Sequence, residues 1–402
     1  MRPALRSMGD MTLAPLLLAL AFQAPPPVEL VETMPVETSL EHADIPDAHA
    51  VWLEMIAGAR SSIDLAHFYA SNQASSRLEP IVAALEAAAQ RGVAVRFLAE
   101  DKFVKTYPET LERLARSPRI SVRRFDVAKI FGGVLHSKSM VVDGREAFVG
   151  SQNFDWRALE HIVELGLRVR APQSVRAFAA IFECDWQLAG GVPVSEALAP
   201  LRALPAPVDE ADGVRIETRF SPLAGIPGEP WWDLPELVER IDSAQRSLKL
   251  QMLTYRMVGR DKEYFAELET ALRRAAARGV SVRLLVADWG KRRGIVEGLQ
   301  SLEPLENIEV RFVTIPEHSS GHIPFGRVLH AKTLVADGAR LWLGTSNWEH
   351  DYFHESRNAS VFVDGGALPP RVDALHDELW NSKYAQPVDP AAKYEAPRYG
   401  ER

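Results

Sequence analysis

Cysteine is almost absent: Cys184 stands alone among 402 residues. No internal disulfide can form, so burial must hold the fold, and a chain of this length can supply enough of it even outside the cytosol. Cys184 lies in the run IFECDWQL, which has a helical apolar pattern and nothing nearby to activate a thiol. It therefore reads as a packing residue and not as a nucleophile. A surplus of positive charge is missing too. Lys and Arg number 46 against 54 Asp and Glu, a net charge of −8, which excludes a broad basic face for duplex nucleic acid but leaves room for a local cationic pocket. Long apolar runs are confined to the start of the chain. Met11 to Phe22 is almost wholly apolar and follows Arg2 and Arg6, with small residues at Ala19, Ala21 and Ala24 and prolines from Pro25 to Pro27. That pattern is too short to span a bilayer and predicts a signal peptide over residues 1–24, hence a secreted or periplasmic protein. A disordered N-terminal extension is the bland alternative.

What the chain has instead is repetition. AAAQRGVAVRFL in the first half matches AAARGVSVRLL in the second, each an Ala-rich helix closed by a glycine (Gly92, Gly279) and followed by a β-branched strand. The closest match is LHSKSMVVDGREAFVGSQN against LHAKTLVADGARLWLGTSN, aligned without a gap. His136 pairs with His330, Lys138 with Lys332, Asp143 with Asp337 and Asn153 with Asn347, always 194 residues apart, and Trp186 and Trp380 keep the same interval. Pro193 to Asp212, rich in Pro and Ala, reads as a linker between halves at 31–195 and 213–385. The strands and helices alternate within each half. That predicts an α/β protein, each half an α/β sandwich with a mostly parallel sheet. The residues from about Gln386 are expected to trail along the surface.

The repeated motif carries the chemistry. Residues two apart on a strand share a face, so His136 points with Lys138 and His330 with Lys332. A single His-x-Lys pair is usually a solvated strand face; two in register, each followed by a hydroxyl and an amide, are not. Lys138, Lys332, Asn153, Asn347, Ser151 and Thr345 would make a donor-rich pocket suited to a phosphate and to its five-coordinate transition state. One neutral imidazole can attack phosphorus while the other, protonated, serves the leaving oxygen. The histidines come with Lys and not with Asp, Glu or Cys at ligand spacing, so neither metal nor cofactor is expected. Asp143 and Asp337 precede glycines at strand ends and read as structural turn residues. Glu164 and Asn358 lie eleven residues beyond each asparagine, where a side chain could accept an imidazole Nδ1 hydrogen. Glu164 is assigned to His136 on that basis, making His136 the nucleophile and His330 the acid and base.

The paired HxKxxxxD motifs, with GSQN and GTSN, resemble the phospholipase D superfamily. NFDWRALEHIVELG, SNWEHDYFHES and WLEMIAGARSSIDLAHFY narrow the resemblance to the branch of animal lysosomal exonuclease-like proteins and poxvirus envelope phospholipase homologues. The resemblance spans roughly Val36 to Trp380. It implies two α/β/α halves about a pseudo-twofold axis, both histidines at the seam, and hydrolysis or transfer through a phosphohistidine. For the branch it implies removal of nucleotides from the 5′ end of single-stranded DNA or RNA, some members acting on phospholipids. The eukaryotic members are lumenal and disulfide-bonded, so their acidic working pH does not carry over to a chain with one cysteine.

Three readings follow. The first is a phosphodiesterase acting on single-stranded nucleic-acid ends, the second a phospholipase D or phosphatidyl transferase acting on phospholipid head groups. The third is a non-catalytic module that binds phosphate ligands. No stable protein partner is implied. Weaker signals are Lys291, Arg292 and Arg293 after a strand, His318 and His322 in the loop before the second motif, and Trp348, Tyr352 and Phe353 as stacking or core aromatics. Asn358-Ala-Ser is a formal glycosylation sequon placed too near the site to be used.

Overall fold

The computed structural model describes residues 25–259 and 262–400; the expected signal peptide lies outside them. The seven strands of the first sheet reappear in the second in the same spatial order. In the first sheet β1 (Val28–Thr33), β2 (Ser62–His67), β3 (Ala94–Glu100), β4 (Ile120–Phe125), β5 (Ser139–Val142), β6 (Glu146–Gly150) and β7 (Ile162–Val169) are ordered β1-β7-β6-β5-β2-β3-β4. The second half contributes β8 (Val208–Ala211), β9 (Val214–Ser221), β10 (Ser247–Met252), β11 (Ser281–Ala287), β12 (Ile308–Val313), β13 (Val328–Leu329), β14 (Thr333–Ala336), β15 (Arg340–Gly344), β16 (Asn358–Asp364) and β17 (Ala385–Pro387). Its sheet runs β8-β9-β16-β15-β14-β10-β11-β12-β17. The α/β class and the duplication hold.

The sheets are mixed, however, and not mostly parallel. Parallel pairing is found in β2-β3-β4 and β10-β11-β12, and where β13 of the second half joins β7 of the first, Val328 beside Ile162. The repeated motif forms the hairpins β5-β6 and β14-β15, and strands joined by a three-residue turn can only be antiparallel. The parallel strands are joined by helical crossovers: the Ala-rich α1 (Leu78–Gln90) and α2 (Ala266–Ala277) lead into β3 and β11, and shorter helices at Glu109–Ala115 and Val296–Leu302 lead into β4 and β12. Gly92 and Gly279 end those helices at φ of +98° and +88°, a conformation that costs other residues a Cβ clash.

Three hydrophobic clusters layer the molecule. One lies outside each sheet, and a central one is shared: it joins Leu165, Leu167 and Val149 to Val335, Leu343 and Val361, together with Phe178 and Leu375 from helices at Pro172–Ala189 and Leu368–Trp380. The halves are thus fused through one core. Cys184 is buried there, its thiol pushed up to about 12 by burial.

Two expectations about the connections are corrected. The Pro193–Asp212 segment is not a free linker. It forms short helices at Val194–Ala197 and Ala199–Arg202 and the edge strand β8, and Leu198 and Leu201 enter the central core. The C-terminal stretch does not trail either. β17 extends the second sheet, Val388 is buried, and Tyr394 and Tyr399 pack on Phe312 and Trp289. Polar and proline-rich composition masked a few well-spaced apolar residues.

Candidate active site

Each motif is anchored at its turn. Asp143 and Gly144 have φ of +53° and +63°, Asp337 and Gly338 +56° and +69°, the left-handed pair that a tight hairpin needs. The Asp143 carboxylate accepts from the backbone N–H groups of Arg60 (2.9 Å), Ser61 (2.7 Å) and Ser62 (2.9 Å). Asp337 does the same for Gln245, Arg246 and Ser247 at 3.0, 2.7 and 3.0 Å. Each carboxylate thus ties its hairpin to the backbone that leads into the neighbouring parallel strand.

The strands proper begin at Ser139 and Thr333, so the His-x-Lys segments precede them and pair elsewhere. The N–H groups of His136 and Ser137 both donate to the Arg357 carbonyl at 2.9 Å. The N–H groups of His330 and Ala331 donate to the Val163 carbonyl at 2.9 and 3.0 Å. Arg357 and Val163 are 194 residues apart, like the histidines, so each half makes to the other the contact it receives. That reciprocity is what a pseudo-twofold relation requires, and it brings both motifs to one seam. Arg357 is fixed by a buried ion pair to Asp185 at 2.9 Å across the halves.

The crossing corrects one pairing. Glu164 follows Val163 and Asn358 follows Arg357, so each reaches the histidine of the opposite half. His330 Nδ1 lies 2.8 Å from Glu164, and His136 Nδ1 lies 3.1 Å from the Asn358 amide oxygen. Glu164 therefore orients His330, not His136. The Asn358 amide nitrogen donates to the Tyr352 carbonyl at 2.8 Å, which turns its oxygen toward His136 and sets the Nδ1–H tautomer. In both rings Nε2 is left for chemistry. Asn358 is wholly buried and both its amide atoms are engaged, which rules out the sequon.

Electrostatically the four motif residues form one cluster. Burial, then Lys138, Lys332 and His330, hold His136 well below its ordinary value; burial and both lysines do the same to His330. Burial lowers Lys332 to about 7, holds Lys138 well below its ordinary value, and raises Glu164 to about 7. Lys138 donates to the His136 carbonyl at 2.5 Å and Lys332 to the His330 carbonyl, so both ammonium groups are held inside. Two buried ammonium groups facing one carboxylate are short of negative charge, and an entering phosphate diester supplies it. The Glu164–His330 pair can share one proton at no net charge. An extra proton on His136 would be an isolated buried cation. The two imidazoles are thereby made unequal.

The amide oxygens of Asn153 and Asn347 are buried without a protein partner beside these groups. The hydroxyls of Ser151 and Thr345 depart from the phosphate-binding role expected of them. Ser151 exchanges hydrogen bonds with the Leu165 backbone at 3.1 and 3.2 Å, and Thr345 donates to the Asn358 side chain at 2.8 Å. Both are fully buried and brace the residues that orient the histidines.

The rings of Phe68 and Tyr352 stand edge-on to His136, at 5.1 and 4.7 Å between centroids, and both line a cleft of about 630 Å³. Phe103 completes an aromatic wall, and Glu100, Asp101, Asp126, Glu349, Asp351 and Glu355 outnumber Lys102 and Arg256, so the lining is acidic on balance. Sequence reasoning missed Phe68. Its signal was its place at the carboxyl end of the parallel strand β2, where α/β sites gather. Of the weaker signals, Trp348 and Phe353 are core residues. Lys291 and Arg292 lie over the rings of Phe312 and Tyr399, and His322 bonds the Gly400 carbonyl at 2.9 Å.

The family described as "Cardiolipin synthase, PLD-like domain" matches residues 52–186 and 237–380, most of the chain and both copies of the motif. The chain belongs to this family. Among curated proteins, this phospholipase D-like chain is 30% identical to the 5′-3′ exonuclease PLD3 of Bos taurus over 90% of its own length and 81% of the relative's. It is 27% identical to Phospholipase D Z of Dictyostelium discoideum, over 90% of both. The phosphatidylserine synthase of Haemophilus influenzae shares the fold, with a TM-score of 0.61 at 12% identity over 86% of this chain and 85% of that one. The chain is a phosphoric diester hydrolase of the phospholipase D superfamily.

Proposed function

We propose that this enzyme cleaves phosphodiesters without a metal, through a phosphohistidine on His136, and that its substrate is the 5′ end of single-stranded nucleic acid. The unequal partners of the two histidines carry the chemical part. His136, facing only an amide, is neutral in the resting enzyme, and its Nε2 lone pair attacks phosphorus. His330, sharing a proton with Glu164, gives that proton from Nε2 to the departing oxygen. Lys138, Lys332 and the amides of Asn153 and Asn347 hold the non-bridging oxygens as charge builds on them. His330, now neutral, takes a proton from water, the water oxygen bonds to phosphorus, and the P–N bond to His136 breaks. The roles given to His136 and His330 from sequence are kept, for a different reason.

The substrate part is supported by the cleft beside His136 and by the 30% identity to an exonuclease. About 630 Å³ walled by three aromatic rings suits one nucleoside, and the acidic lining suits one that is uncharged. Such a terminus needs no long basic groove, which agrees with the net charge of −8. The phospholipid reading rests on the relatives named phospholipase D. Incubation with 5′-hydroxyl single-stranded oligonucleotide, phosphatidylglycerol and phosphatidylcholine, each beside His330→Ala, separates them. Nucleotide release that the variant loses supports the proposal, and head-group release alone overturns its substrate. Acid-labile, base-stable label on His330 in a His136→Ala protein would reverse the two roles.

A further inference from the structure

A phosphodiester has two ester arms on one phosphorus. A site assembled from two equivalent halves offers both arms the same lysines and amides, so some residue without a counterpart must tell them apart. Tyr352 is such a residue. The position 194 residues earlier is Ala158, which is fully buried and carries neither ring nor hydroxyl. Tyr352 faces the cleft and stands at 89° to the His136 ring. It is held from behind, since its carbonyl accepts from Asn358 at 2.8 Å and from the Ser221 hydroxyl at 3.0 Å. The Asn347 amide acts on the phenol oxygen as a donor, while burial, Glu349 and Asp351 keep the phenol protonated. Among the described residues no acceptor takes its hydrogen.

We propose that Tyr352 is a specificity-determining residue: its phenol donates to the ester arm that stays on phosphorus and so fixes which bond breaks. The inference rests on His136 being the nucleophile. In an in-line displacement the leaving oxygen lies opposite the attacking nitrogen. The cleft is lined by the two rings that contact His136, Phe68 and Tyr352, so the arm within it lies on the His136 side, is not opposite that nitrogen and is the retained one. Phe68 and Phe103 pack against the group this arm carries, and Tyr352 hydrogen-bonds a sugar oxygen of that group, which a nitrophenyl arm lacks.

Three nitrophenyl diesters test this: thymidine 3′-(p-nitrophenyl phosphate), thymidine 5′-(p-nitrophenyl phosphate) and bis(p-nitrophenyl) phosphate, whose arms are identical. The native enzyme should prefer one thymidine isomer. Tyr352→Phe, which keeps the ring and the backbone anchor, should lose about tenfold in kcat/KM on the preferred isomer, mostly through KM, and change by less than about twofold on the symmetric ester. Tyr352→Leu should widen the gap between the thymidine and symmetric esters, with thermal unfolding confirming that both variants are folded. Equal losses on all three esters would mean packing alone, and an unchanged isomer preference would mean no contact; either overturns the proposal. If the native enzyme leaves bis(p-nitrophenyl) phosphate intact, the phosphodiesterase chemistry itself fails, and that result is separate from the behaviour of Tyr352.

Discussion

Glu164→Gln tests the inequality of the two histidines most directly. The substitution keeps the shape and an acceptor for His330 Nδ1–H at its present 2.8 Å, and removes only the charge. For charges about 4 Å apart at an effective dielectric of about 20, that charge is worth roughly 4 kcal/mol to a protonated His330. At about 1.4 kcal/mol per pH unit this is close to three units of proton affinity. Neighbouring ammonium groups share the carboxylate, so a loss of about 10²–10³ in turnover at neutral pH is expected on a dinucleotide, whose leaving oxygen needs a proton. The descending limb of the pH–rate profile should move to lower pH, because His330 must be protonated and now holds its proton less tightly. A nitrophenolate leaves without a proton. With thymidine 3′-(p-nitrophenyl phosphate) in rapid-mixing experiments, the burst of nitrophenolate should keep its rate to within about tenfold, while steady-state turnover falls because water attack still uses His330. A burst slowed as severely as dinucleotide cleavage would refute the reasoning and make His330 the attacking group.

Other consequences follow from the same geometry. Lys332 sits near 7 in the empty site, and a bound anion restores its proton. The affinity for inorganic phosphate measured calorimetrically should therefore weaken as pH rises through about 7, with proton uptake above it; a flat profile would contradict the buried ammonium pair. Asp143→Ala and Asp337→Ala each strand three backbone donors and should each cost about 1–3 kcal/mol in urea unfolding. Although burial opposes it, hydrogen bonds from Ser62, Ser61 and Arg60 hold Asp143 below the usual carboxylate range. Its contribution is thus present above about pH 4 and shrinks as pH falls further, so native and Asp143→Ala proteins should converge in stability in acid. An oligonucleotide bearing a 5′-phosphate should be degraded at least about tenfold more slowly than its 5′-hydroxyl form, since the extra charge would enter a cleft lined by Glu349, Asp351 and Glu355; equal rates would place the terminus elsewhere.

The sequence by itself determined the α/β class, the duplication and the identities of the histidines, lysines and asparagines, because local spacing and register survive any packing of the halves. It also identified Asp143 and Asp337 as turn residues, since an Asp-Gly pair between strands has a local reason to exist. Tertiary structure decided what spacing cannot encode. Glu164 lies nearer in sequence to His136 than to His330, yet the reciprocal seam at Val163 and Arg357 delivers it to the other half. The hydroxyls of Ser151 and Thr345 turn inward for the same reason, bracing partners that chain order does not reveal. The acid lining and the lone Tyr352 at one mouth arise where the copies diverged, and only the packing of the two halves places those residues on His136. Catalysis here depends on contacts between stretches of chain some 200 residues apart, and such contacts are set by the burial of a common core.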